Sequence, residues 1–345
     1  MPASPIPFGG RAIGAGHAVV VIAEIGINHE GDPAACARLI EEAAGSGADA
    51  IKLQTMDADE NYVRGTESHA LFSRAALGRE QTAAMFALAR RLGMEAFTTA
   101  GDSATIEWVA RLKPAAHKIS SGLMTNHRAI RTAAATGLPL LVSTGMALPA
   151  EIDEAVAAAR RGGCQALGLF QCTSLYPAPP ETLDLAAIGW LEARYAAPAG
   201  FSDHSLGIEA APLAVAAGAR MLEKHFTLDP ARPGFDHALS LSPAVFAAMV
   251  AAVRRAEVMM GKSTKQPGSI ERAKSALYHR IVVARCDVRL GDILDTENVG
   301  LKRPLPGTRG LHPVRYEEVI GRHAARAFAR DEAIGPNDVT PPLNP

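Results

Sequence analysis

Two histidines close consecutive apolar segments: His204 in Ser202-Asp203-His204-Ser205 and His225 in Glu223-Lys224-His225. If those segments are neighbouring parallel strands, the two imidazoles meet as nitrogen donors for one divalent cation, with positions left for water or substrate. Nitrogen ligands suit Mn2+, Fe2+ or Zn2+ better than Mg2+. His237, in Gly234-Phe235-Asp236-His237, is a further candidate ligand, although its surroundings read as a loop. Lys52 and Lys118, with Thr99, Ser121 and Ser202, form a second set, cationic and rich in hydroxyls, which suits a phosphate. The lysines have a plainer reading as ion-pair partners of Glu24 and Glu223. Any single polar residue could equally belong to a satisfied interior layer, so the weight lies on the collection. Other apolar segments end the same way: in Glu24, in Lys52 and Gln54, in Thr98-Thr99, in Lys118 and Ser120-Ser121, in Ser143-Thr144, and in the stretch from Gln171 through Ser174 to Tyr176.

The elements that must carry these groups are short β-branched runs alternating with longer Ala/Leu-rich amphipathic stretches, the rhythm of parallel strands joined by helices. Eight strands are expected, over 19–24, 50–54, 95–99, 116–120, 140–143, 166–172, 199–202 and 221–225. Helices are expected over 33–45, 79–92 and 103–112, with a last one from Pro243 to about Met260. Asp32-Pro33 and Ser242-Pro243 each place a capping side chain before a proline whose missing N–H costs nothing in the first turn. Eight units predict a closed (β/α)8 TIM barrel, with catalytic groups at the C-terminal strand ends. A doubly wound open sheet is the competing arrangement. The pattern changes after Gly261. Residues 262–279 read as a linker, polar around Pro267-Gly268. Residues 280–345 read as a small β-rich domain, with a strand signal over 280–288, a turn at Gly291-Asp292 and apolar alternation over 319–329.

Composition narrows the function. A chain of 345 residues accommodates a barrel plus a smaller domain, and 48% hydrophobic residues provide the core. A net charge of -1 leaves no concentrated excess of Lys and Arg, which argues against nucleic acid as a partner. Cys36, Cys164, Cys172 and Cys286 form no CxxC pair and read as reduced thiols. No apolar run approaches the roughly 18 residues that span a bilayer, and the first residues lack the apolar core of a signal peptide. A cytoplasmic location without membrane association is the default expectation.

Taken together, these segments resemble the sialic acid synthase family, including the legionaminate and pseudaminate synthases. The matching elements are EIGINHEG at 24–31, KLQT at 52–55, KISSG at 118–122, STGM at 143–146, CTSLYP at 172–177, SDHSLG at 202–207, EKHFTLD at 223–229 and RPGFDH at 232–237. LKRP at 301–304 lies in a segment that resembles the antifreeze-like (SAF) domain of those enzymes. The resemblance implies condensation of phosphoenolpyruvate with the open-chain aldehyde of an N-acylated amino sugar such as N-acetylmannosamine, giving a nonulosonic acid and phosphate. It implies that His204 and His225 bind Mn2+ or a similar ion acting as a Lewis acid. Lys52, Thr99, Lys118, Ser121, Ser174 and Ser202 are then the phosphoenolpyruvate residues. Gln54 joins the substrate-binding set, and Glu24, Tyr176 and Asp236 contact the sugar, with Glu24 placed for proton transfer. The resemblance also implies a domain-swapped homodimer in which Arg303 reaches the other subunit's site. Two positions depart from the pattern: Leu123 stands where an acidic residue is common, and Ala100-Gly101 follow Thr99 where many relatives read Pro-Phe. Those departures keep two other readings open: condensation with a different aldose, and a weakly catalytic homologue that only binds sugar or phosphoenolpyruvate.

Overall fold

A short hairpin, β1 (Ile6–Phe8) and β2 (Arg11–Ile13), precedes the first expected strand in the computed structural model, which describes residues 2–262 and 264–344. Sequence reading did not anticipate it. The eight expected strands follow as β3 (Val20–Gly26), β4 (Ala50–Gln54), β5 (Glu95–Thr99), β6 (His117–Ile119), β7 (Leu140–Ser143), β8 (Leu167–Cys172), β9 (Ala199–Asp203) and β10 (Met221–His225). All pair in parallel, and the order β10-β3-β4-β5-β6-β7-β8-β9 closes on itself. The chain is therefore a closed (β/α)8 barrel, and the open-sheet alternative is excluded.

Strand periodicity sorts the interior into two levels. Side chains alternate across a strand, so residues two apart share the inner face. On the inner face Val20, Ile22, Ala50, Phe97, Leu141, Phe170 and Met221 form one apolar cluster with Ile6, Phe8 and Ile13 of the hairpin. Phe8 meets Phe97 edge-to-face, ring centroids 5.4 Å apart, the arrangement aromatic quadrupoles favour. Burying Phe8 there is worth roughly 1.5–3 kcal/mol. The next inward positions along the same strands are Glu24, Lys52, Thr99, Ser143, Cys172 and Glu223. The hairpin thus plugs the end of the barrel opposite the polar one. Outward residues pack instead against helices such as Pro33–Gly45, Arg79–Arg91 and Pro243–Met260. Asp32 caps the first of these by accepting from Ala34 N at 2.8 Å.

The chain divides into two compact units, Met1–Gly261 and Lys262–Pro345. Within the second, β11 (Ile281–Ala284) pairs antiparallel with β12 (Val299–Lys302), and β13 (His323–Ala324) with β14 (Val339–Thr340). Val282, Leu294, Val299, Val319, Phe328 and Ile334 belong to its own apolar core. Two expectations need correction. The stretch read as a linker contains a helix, Ser269–Tyr278, with Glu271 in its first turn favouring the helix dipole. The alternating segment 319–329 yields only β13 and an isolated bridge from Phe328 to Val288. The cysteines are free, and no described helix is long and apolar enough to cross a membrane.

One buried residue of β6 gives the fold a pH signature. His117 is 1% exposed, and neither ring nitrogen has a hydrogen-bond partner among the described residues. Burial pushes its pKa down to about 4. Below its ordinary value near 6.5 the unfolded chain takes up a proton that the folded chain refuses, so stability falls as pH drops towards 4. Urea unfolding at pH 7.5 and pH 5 should show His117→Leu losing roughly 2 kcal/mol less than the wild type over that interval. Parallel losses in both proteins would reject the assignment.

Candidate active site

Every strand of the barrel delivers side chains to one cavity of about 400 Å3 at the polar end. Of the residues picked from the sequence, Glu24, Lys52, Gln54, Thr99, Lys118, Ser121, Ser174, Tyr176, Ser202, His204, His225 and Asp236 all line it. Arg303 belongs to the second unit. There its Nε donates to Leu277 O at 2.6 Å, and its guanidinium stacks 3.9 Å above the Tyr278 ring.

Local backbone features aim these groups. The β3–β4 register shifts between Glu24 and Gly26, a bulge of the kind that redirects a strand end. Gly145 must be glycine: a Cβ there would lie 2.4 Å from Ser174 Oγ and 2.7 Å from Ser121 Oγ. The bare backbone lets Gly145 N donate to Ser121 Oγ at 3.0 Å, and it brings both serines to one wall. Asn28 ties two loops together, donating to Phe226 O and Ser240 Oγ while its Oδ1 accepts from Asp236 N at 3.1 Å. That bond holds the loop carrying Asp236 over the cavity.

Glu223 is the electrostatic centre. Its Oε1 accepts from Lys52 Nζ at 2.8 Å and Ser202 Oγ at 2.9 Å, with Lys118 Nζ 3.5 Å away. Burial opposes its ionisation, but the two ammonium groups prevail and hold the carboxyl well below the usual carboxylate range. Lys52 also lies 3.2 Å from Glu24 Oε2. Burial disfavours its charge, yet its two carboxylate neighbours outweigh that and keep it cationic. Glu24 goes the other way: burial lifts it to about 7 against the pull of Lys52. Burial likewise pushes Lys118 down to about 8, the attraction of Glu223 opposing and the repulsion of Lys52 adding. Glu223 Oε2, Thr99 Oγ1 and His225 Nδ1 make no hydrogen bond among the described residues. Three orphaned polar atoms in one cavity are open to a ligand, since buried polar groups ordinarily find partners.

The histidines meet as the sequence reading required, ring centroids 5.3 Å apart. His204 Nδ1 bonds Thr173 O at 2.8 Å, which as a donor leaves Nε2 free to ligate. Burial and the neighbouring His204 keep the pKa of His225 well below the ordinary histidine value, hence neutral. Tyr176 stacks on His204 at 4.2 Å and stands edge-on to His225 at 6.1 Å. Among the described residues no cluster of three or more His, Cys, Asp or Glu side chains is arranged to hold a metal. His237 is excluded as a third ligand by its own bonds: Nδ1 meets Thr227 Oγ1 at 2.7 Å and Nε2 meets Glu30 Oε1 at 3.2 Å.

Sequence reasoning missed Glu223 as a site residue, treating it only as an ion-pair partner. Its place two residues before His225, hence on the same strand face, was the available signal. It also missed the apolar rim of Met56, Tyr62, Phe72 and Met146. Tyr62 and Phe72 stack at 5.0 Å, but they sit on helical loop segments with no strand periodicity to reveal them. Leu123 does not line the cavity; it packs against the outer apolar core. Gly101 lies tightly beneath Asn61 and Met56. A wider cleft of about 930 Å3 beside the site is lined by Asp57, Asp59, Glu60, Asp102 and Glu107. Asp57 and Asp102 cap helices there and Asp59 pairs with Arg64, so these three aspartates are already engaged.

Comparison with known proteins finds a match in each of the two units. Residues 39–265 match the model of the NeuB family, and residues 279–340 match that of the SAF domain. The N,N'-diacetyllegionaminic acid synthase of Legionella pneumophila is 34% identical, over 87% of this chain and 89% of its own. The pseudaminic acid synthase of Campylobacter jejuni is 32% identical, over 93% of this chain and 96% of its own. The solved structure of N-acetylneuraminic acid synthetase from Leptospira borgpetersenii superposes with a TM-score of 0.76 at 32% identity, covering 79% of this chain and 95% of that one.

The charge arrangement predicts how the cavity treats an anion. With Glu24 protonated, two lysines face one carboxylate at the hub; as Glu24 ionises above pH 7, repulsion of an anion grows. Sulfate, whose charge is constant over this range, should bind roughly tenfold more weakly at pH 8 than at pH 6, equivalent to ~1.4 kcal/mol for one added charge. Calorimetry on Glu24→Gln should show most of that dependence gone, and an unchanged pH profile would contradict the Glu24 assignment.

Proposed function

The chain belongs to the NeuB family, and from that premise we propose that it is a phosphoenolpyruvate-dependent nonulosonic acid synthase. Its acceptor is an N-acylated amino aldose, N-acetylmannosamine or a relative, and its products are a sialic-acid-type sugar and phosphate. The observation that carries this reading is one cavity in which buried Lys52 and Lys118 stand among hydroxyls and face a histidine pair. A doubly anionic phosphate ester and a polarisable carbonyl are the partners such a division of charge suits.

Lys52, Lys118, Thr99, Ser121, Ser174 and Ser202 are assigned to phosphoenolpyruvate, and Glu24, Gln54, Tyr176 and Asp236 to the sugar. His204 and His225 fit a divalent cation, because one ring is engaged at Nδ1 and the other is kept neutral. Mn2+ or a similar ion bound there supplies Lewis acidity towards a carbonyl oxygen. In the reaction, carbon 3 of phosphoenolpyruvate bonds to the aldehyde carbon, water adds at carbon 2, and the bond from carbon 2 to the phosphate oxygen breaks. Atoms balance as phosphoenolpyruvate, aldose and water giving nonulosonate and phosphate. Glu24, lifted to about 7, is the carboxyl able to pass a proton to the former aldehyde oxygen at neutral pH. The same reading assigns Arg303 to the other chain's site in a domain-swapped homodimer, where a fixed guanidinium would meet the acylamino group.

Two measurements test the proposal. Purified protein with Mn2+, phosphoenolpyruvate and a panel of aldoses should release phosphate with N-acyl amino sugars and yield the condensed mass. Replacing both His204 and His225 by Ala should reduce turnover to background with an unchanged circular dichroism spectrum. Turnover only with an unacylated aldose would move the acceptor, and no turnover despite saturable phosphoenolpyruvate binding would reduce the protein to a binder. For the dimer, co-expressed His204→Ala and Arg303→Ala chains should recover about a quarter of wild-type activity, since one intact composite site forms in each mixed dimer. No recovery would argue that each chain completes its own site.

A further inference from the structure

On the face of β9 and β10 that points away from the cavity, one ion pair is sealed in the apolar layer between barrel and helices. Asp203 and Lys224 are register partners on the two strands, and they are 2% and 1% exposed. Lys224 Nζ donates to Asp203 Oδ2 at 2.8 Å and also to the carbonyl of Ser205. The other carboxylate oxygen, Asp203 Oδ1, accepts from Ser205 N at 2.8 Å and from Ser205 Oγ at 2.6 Å. Every polar group of Ser205 is therefore held by this pair.

Its place in the chain is the informative part. Asp203 immediately precedes His204, Ser205 follows it, and Lys224 immediately precedes His225. His204 thus lies between two residues whose backbone is fixed from outside, while Ala178 N donates to its own carbonyl at 2.9 Å and Thr173 O takes its ring Nδ1. A pair of apolar side chains would fill the same space at less electrostatic cost, because burying two charges costs more than the attraction commonly returns. What an apolar pair cannot do is hydrogen-bond Ser205.

The geometry points to Asp203 and Lys224 as positioning residues that set the orientation of His204 relative to His225 from the outer side of the barrel. The inference rests on the reading of that pair as cation ligands. Ligand-orienting partners outside a metal site typically change affinity by ~10- to 100-fold when lost.

The test uses the full-length protein and Mn2+ alone, with the dissociation constant read from the free-ion electron paramagnetic resonance signal and stability read from urea unfolding. Lys224→Met should lose stability, because Asp203 is left buried and unpaired, and should bind Mn2+ more weakly. The double variant Asp203→Leu/Lys224→Met should regain most of that stability yet still bind Mn2+ ~10- to 100-fold more weakly than wild type. A stable double variant with wild-type affinity would overturn the inference and leave the cation reading intact. Absence of Mn2+ binding by the wild type, or wild-type binding that survives His204→Ala/His225→Ala, would overturn both. Should the apolar pair not fold, Asp203→Ala serves instead: it removes the acceptor that holds Ser205 N and Oγ. Asp203→Ala should bind Mn2+ more weakly, and undiminished affinity would count against the proposal.

Discussion

Glu223 Oε1 organises the barrel mouth. One carboxylate oxygen shared by Lys52 and Ser202, with Lys118 alongside, couples strands β4, β6, β9 and β10 through the interior as well as through their backbone ladder. Without it Lys118 would keep only the Ser143 hydroxyl and Lys52 only Glu24 against a desolvation cost of several kcal/mol per buried ion. The same contact fixes where the cations point, and so where an anion can be received. The apolar plug beneath follows from this arrangement. The hairpin of β1 and β2 closes the other end with Ile6, Phe8 and Ile13, so the lower layer is apolar while the charged layer faces the cavity.

The barrel was legible because its signal is repeated. Each strand reads apolar and then polar at a two-residue spacing, and the strand bounds fall within two residues of expectation at every end. The hairpin escaped notice because its strands are three residues long with a proline inside the first; only the Gly9-Gly10 pair marks its turn. The helix Ser269–Tyr278 was hidden by the polarity of its surroundings: none of its described residues is buried, so it carries no core-facing stripe to read.

Site residues divide along the same line. Groups at strand ends were recoverable, since fold and periodicity together say where they point. Glu223 was visible in sequence but ambiguous, because an inward glutamate beside two inward lysines can be a structural neutraliser or part of a site. Its two oxygens differ accordingly: Oε1 is saturated by its neighbours and Oε2 is bare among the described residues. Loop residues were not recoverable in this way. Tyr62 and Phe72 reach the cavity from a segment whose path is set by tertiary contacts, and Leu123, conspicuous against the family pattern, turns outward to the apolar core.

Turning outward, Leu123 leaves three carboxyl groups in the cavity, and their surroundings separate them by role. Glu223 meets two lysines and stays ionised, so it acts as a fixed counter-charge. Asp236 is lifted by burial, with only the more distant positive potential of His204, His237 and Lys52 opposing. Glu24 shares Lys52 with Glu223, and since Glu223 holds that lysine at 2.8 Å and Glu24 at 3.2 Å, the stronger claim belongs to Glu223. Burial then dominates at Glu24 and brings its titration to about 7. Two glutamates from adjacent strands β3 and β10 therefore behave oppositely because they compete for the same cation. The contact that stabilises the lysine layer is also what frees Glu24 to exchange a proton near neutrality.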